Sequence, residues 1–200
     1  MKIFDAINEI YKQIQKTRHS LSHLYKVLIF ITPFLTIAFY FVFVFDYLPS
    51  EIDAKYAGLV VAYLFPPLGK ESIIPLMLFS DIPAWITGST IIIMDIISSA
   101  IIAYNWWFAE LIIYHIPYLD KGYDKLKKKS ENFSKRKLVT VAMIIFMAVP
   151  FQGTGGISTT ILSRLLGFKA KKTVAIVALG SSITTSLMIM AYLGLFNFIY

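Results

Sequence analysis

The sequence predicts an all-α integral membrane protein with about three full transmembrane helices and two re-entrant, broken helix hairpins arranged as an inverted-topology repeat. Three observations carry this expectation. Of 200 residues, 57% are hydrophobic and 16% charged, against roughly 45–50% apolar and roughly 25% charged in soluble domains. Residues 27–45 run for 19 positions without a charge, about the length that crosses ~30 Å of hydrocarbon at ~1.5 Å per residue. Two later apolar stretches are broken by proline and glycine, at 66–69 and 150–156.

Composition also sets aside whole classes. A soluble enzyme, a nucleic-acid-binding domain and a disulfide-built secreted scaffold all fit poorly. With no cysteine there is no thiolate nucleophile, disulfide framework, Cys-ligated zinc or iron–sulfur cluster. His19 and His23 lie one helical turn apart, but no third ligand accompanies them, so neither a metal nor any other cofactor is expected.

Taken in order, residues 1–26 read as a basic amphipathic helix. Ile3, Ile7, Ile10, Ile14, Thr17, Leu21 and Leu24 recur at steps of four and three, with Lys2, Lys12, Lys16, Arg18 and Lys26 around them. Such a helix suits an anionic membrane surface or packs on the protein's own loops. Residues 27–200 then form a single membrane domain, opened by the span 27–45. A broken segment follows at about 57–80, with a second half-helix starting near Ser72. Asp81 reads as the N-cap of the next span, 82–104. The stretch 118–137 is rich in lysine and reads as a cytoplasmic loop, since basic loops face inward. A second broken segment covers about 138–167, with a half-helix starting near Ile157 and ending at Gly167. The uncharged run 173–193 closes the domain.

Placing every basic cluster in the cytoplasm makes the first broken segment enter from outside and the second from inside. The spans that follow them share Gly88-Ser89-Thr90 and Gly180-Ser181-Ser182. This is the plan of discontinuous helices that meet near a bilayer midplane around a substrate site. Irregular backbone at that depth must be buried in protein or line a wet cavity. Gly153-Thr154-Gly155-Gly156 is therefore a candidate cavity lining, with tight helix packing as the alternative. Charged residues at such depth are functional candidates by default. Glu71, beside Lys70 in the first break, is placed to bind a proton or a cationic group, or else the two form a surface turn. Asp95 lies inside a span, and a structural ion pair with Arg164 is its alternative role. Arg164 itself suits a phosphate or carboxylate, or reaches toward the cytoplasmic surface.

The run Pro150-Phe151-Gln152-Gly153-Thr154-Gly155-Gly156, then Ser163-Arg164-Leu165-Leu166-Gly167 and Ala178-Leu179-Gly180, resembles the small multidrug export protein family. Gly69-Lys70-Glu71-Ser72-Ile73-Ile74-Pro75 resembles that family's first motif, although Lys70-Glu71 stands where Glu-then-Arg is frequent. Gln152 stands where a second proline is common. The family is in turn distantly similar to DedA-type membrane proteins, which are linked to lipid movement. The resemblance implies a membrane exporter, and an enzyme is not expected because the residues supply no convincing nucleophile–base pair. An ion-coupled secondary transporter of a small amphipathic or charged solute leads. A lipid-translocating protein and a non-transporting scaffold are the alternatives. Expected partners are the lipid bilayer, a small-molecule or lipid substrate and, because the chain is short, a second copy of itself, but no nucleic acid. The expected location is the cell membrane, multi-pass, with the N-terminus and the loop 118–137 cytoplasmic.

Overall fold

The computed structural model describes residues 23–64, 69–107, 109–110, 137–149 and 155–199. The expected helix up to residue 22 and the basic loop from 118 to 136 lie outside them. The described residues form seven helices and no strand: α1 (His23–Tyr47), α2 (Ser50–Leu64), α3 (Lys70–Phe79), α4 (Ala84–Tyr104), α5 (Lys137–Ala148), α6 (Gly156–Leu165) and α7 (Ala170–Ile199). Three of them are long and apolar enough to cross a membrane, over Phe30–Tyr47, Ala84–Tyr104 and Ala170–Gly194. Their outward faces carry bare apolar side chains, among them Leu35, Phe39, Val42, Leu187 and Met190. In water such a surface would be a large unpaired apolar patch. In hydrocarbon it is solvated.

Side-chain contacts fix how the helices run. Phe43 and Tyr47 pack against Trp85 at 6.5 and 5.0 Å between ring centroids, and Tyr40 meets Thr90, so the end of α1 meets the start of α4 and the two are antiparallel. Tyr56 reaches Thr90, and Tyr63 reaches Asp95, so α2 climbs beside α4 as far as Asp95. Lys70, at the start of α3, also reaches Asp95, and α3 then runs back toward the start of α4. The described ends of α2 and α3 thus meet α4 at its middle. On the other side, Gly156 meets Asp95 and Thr160 meets Ser99, so α6 runs from the middle of α4 toward its far end. Ser181 lies at Asp95, and Ile189 and Thr185 lie against Gly88, which sets α7 antiparallel to α4.

Helices α3 and α6 end in the same way. Helix α3 ends in a Schellman motif: Asp81 N–H donates to Leu78 O at 3.3 Å and Ile82 N–H to Met77 O at 3.2 Å. Helix α6 ends the same way, Gly167 N–H donating to Arg164 O and Phe168 N–H to Ser163 O, both at 3.0 Å. Lys70 matches Gly156, Phe79 matches Leu165, Asp81 matches Gly167, and Ala84 matches Ala170. The same shift matches Asp95 with Ser181, bonded partners 86 residues apart.

Several expectations need correction. Asp81 is not the N-cap of α4. It holds φ 61° as the left-handed residue that closes α3, and Pro83 precedes the first turn of α4. Preset φ makes proline a good starter there. The first broken segment begins at Ser50, not 57, because Glu51 and Asp53 favour a helix N-terminus. Its second half starts at Lys70 and α6 at Gly156, close to the expected starts near Ser72 and Ile157. The local match of Gly88 with Gly180 is out of the register that the helix ends define.

Candidate functional site

Asp95 sits near the middle of α4 and is 2% exposed. A carboxylate in apolar surroundings costs several kcal/mol unless its oxygens find donors. Here four arrive from four other helices. Oδ1 accepts from the Tyr63 hydroxyl of α2 at 2.7 Å and from the Gly156 backbone N–H of α6 at 2.9 Å. Oδ2 accepts from Lys70 Nζ of α3 at 2.9 Å and from the Ser181 hydroxyl of α7 at 2.6 Å. Lys70 is itself only 2% exposed, so Lys70–Asp95 is a buried ion pair.

Local structure explains why these donors point inward. Lys70 and Gly156 are the first residues of their helices. Both helices are preceded by an extended glycine, Gly69 or Gly155, with no side-chain cap. The orphan N–H at the start of α6 is instead capped across space by Asp95, a carboxylate at the positive end of a helix. That contact needs glycine: a Cβ on Gly156 would lie 2.8 Å from both Oδ1 and the backbone O of Asp95. A cation at the start of α3 is electrostatically unfavourable, and pairing with Asp95 offsets it. One turn along, the Thr160 and Ser99 hydroxyls meet at 2.7 Å and continue the α4–α6 seam.

The other expected residues are placed as follows. Glu71 lies in the first turn of α3, its carboxylate folded over Gly69, and its Oε1 is buried without a partner among the described residues. Its backbone carbonyl would normally bond the N–H four residues on, but that residue is Pro75. The Tyr192 hydroxyl takes the freed carbonyl at 3.3 Å. Arg164 does not pair with Asp95, which Lys70 holds. It donates to Phe168 O at 2.7 Å and its guanidinium lies 5.6 Å from the Trp106 ring centroid. Gly155 has open space where a Cβ would be. Gly153 and Thr154 lie outside the described residues.

Sequence reasoning missed Tyr63 and Ser181. Tyr63 sits in an apolar run where tyrosine reads as an interface anchor, and Ser181 is one hydroxyl among many in α7. No sequence signal singles out Ser181, since the shift that pairs it with Asp95 emerges only from the helix ends of the folded chain. Tyr40 and Tyr56 were missed for the same reason as Tyr63: both hydroxyls meet Thr90 Oγ1, at 2.8 and 2.9 Å.

Three apolar helices of membrane length around a buried, charge-paired centre define a helical membrane protein with a polar site near the middle of its central span. Residues 71–187 match the family described as "Putative small multi-drug export protein", and the chain belongs to that family. The description points to a transporter rather than an enzyme. Asp95, Gly156 and Ser181 fall within the matched stretch, while Tyr63 and Lys70 precede it. No curated protein and no solved structure matches the chain.

Proposed function

We propose that the chain is an ion-coupled secondary exporter of a small amphipathic or charged solute, working by alternating access around Asp95. One observation carries the reading: each lone-pair direction of that carboxylate is held by a different helix, so shifting either hairpin exchanges a donor. Protonation or solute binding at Asp95 is then tied to helix movement, the essential requirement of coupled transport. In this reading α2–α3 and α5–α6 are re-entrant from opposite faces of the cell membrane and meet at mid-depth. The N-terminus and the loop 118–137 lie in the cytoplasm, with Lys169, Lys171 and Lys172 at the start of α7 on the same side. A second copy of the chain completes the walls of the path.

The test is ethidium accumulation in cells carrying the wild-type chain, Asp95→Asn or no insert. Lower accumulation with wild type alone, collapsing when the proton gradient is discharged, supports the reading. Equal accumulation with wild type and Asp95→Asn, at equal membrane abundance, contradicts it.

A further inference from the structure

Asp95 is sealed from both faces, yet a coupled carboxylate must exchange its ion with each. Four fully buried hydroxyls that no protein group bonds, among the described residues, bracket it: Thr87, Thr185, Ser163 and Thr173. Their arrangement follows the repeat. Thr87 and Thr173 are equivalent, each in the first turn of its helix, with backbone N–H groups donating to the matching residues Pro83 and Lys169 at 2.9 Å. Because α4 and α7 are antiparallel, Thr87 stands on one side of the Asp95–Ser181 pair and Thr173 on the other, each about 12 Å along its helix. The remaining two fill the gaps. Thr185 is one turn beyond Ser181 on the same face of α7, toward Gly88. Ser163 follows Gly156 and Thr160 on one face of α6, leading to the end where α7 begins.

Buried hydroxyls in native proteins are nearly always bonded to protein or to ordered water. Threonine in a membrane helix has an easy alternative in its own i−4 carbonyl, as Thr160 and Thr184 show at 2.6 and 2.7 Å. These four do not take it. We propose that they hold internal water and form two half-paths that bring protons to Asp95 from opposite faces, Thr87 with Thr185 on one side and Ser163 with Thr173 on the other. This rests on the coupled-export reading and names its ion.

The step is a simple transfer. A proton passes from the adjoining water to a carboxylate oxygen of Asp95, Lys70 keeps its own proton, and the pair becomes a neutral acid beside an ammonium. The titratable groups facing Asp95 are Tyr63 from α2 and Lys70 from α3, with Glu71 one residue further. Helices α6 and α7 present a backbone N–H and a hydroxyl.

The test is time-resolved infrared spectroscopy of the full chain in vesicles of one orientation, after a pH jump applied to one face. The carboxylic-acid band missing in Asp95→Asn reports protonation. Thr87→Val should slow its appearance about tenfold only for jumps on the face where α4 begins. Thr173→Val should do so only on the face where α7 begins. Thr87→Ser and Thr173→Ser should keep the wild-type rate. Each valine keeps the shape of threonine and gives up only a bond to water, so the variants should stay folded, which thermal unfolding checks. Wild-type rates in both valine variants would overturn the half-paths and leave the export reading standing. No Asp95 band at any accessible pH would overturn both.

Discussion

At the scale of single residues, the centre is defined by what each partner would leave behind. Removing Lys70 or the charge of Asp95 strands the other, a loss of roughly 3–5 kcal/mol for a buried pair. Lys70→Met and Asp95→Asn should each lower the unfolding temperature in detergent. The double variant should recover most of that loss, since it buries no unpaired charge. Ethidium export should stay absent in all three. Recovery of export in the double variant would make the pair purely structural. Asp95 is conspicuous in the sequence because it is a formal charge in an apolar run. Tyr63 is not, since a tyrosine near a chain break looks the same whether its hydroxyl meets a headgroup or a buried carboxylate. Arg164 was equally conspicuous, but charge alone does not reveal which cation a carboxylate takes. Lys70 is the first residue of α3, whose start reaches Asp95, whereas Arg164 lies two turns beyond the α6 N-terminus that does.

Among helices, backbone geometry decides how closely two elements approach. The α4–α6 contact has no room for a methyl group at Gly156, so Gly156→Ala should destabilise by roughly 1–3 kcal/mol through overpacking and also loosen Asp95. Gly180 is similar, with Met147 Cβ 2.7 Å from where its own would be. The two Schellman turns make a paired experiment. Asp81 holds a left-handed conformation that Gly167 adopts without cost. Asp81→Gly should therefore raise stability by about 1 kcal/mol, while Gly167→Ala should lower it by about the same. Unfolding temperatures would show the opposite signs. The sequence exposed both breaks because proline and glycine punctuate helices. It hid the turn at Asp81, since an acid after a helix reads more readily as the start of the next one.

For the whole molecule, hydropathy gave the three membrane-length helices without any knowledge of packing. What it could not give was the meeting point, because contacts between residues 63, 70, 95, 156 and 181 are decided by tertiary structure alone. That dispersal along the chain has a temporal consequence. Lys70 precedes Asp95 by 25 residues, whereas Gly156 and Ser181 follow by 61 and 86. At roughly 5–20 residues per second of synthesis, the carboxylate waits on the order of ten seconds for its last two donors. Throughout that interval Lys70 is its one available counter-charge within the cluster. Lys70→Met should thus act first on biogenesis: pulse-labelled nascent chains should show delayed insertion of α4, before any difference in mature protein can arise. The lysine is then an escort for the aspartate during synthesis as well as its partner at rest.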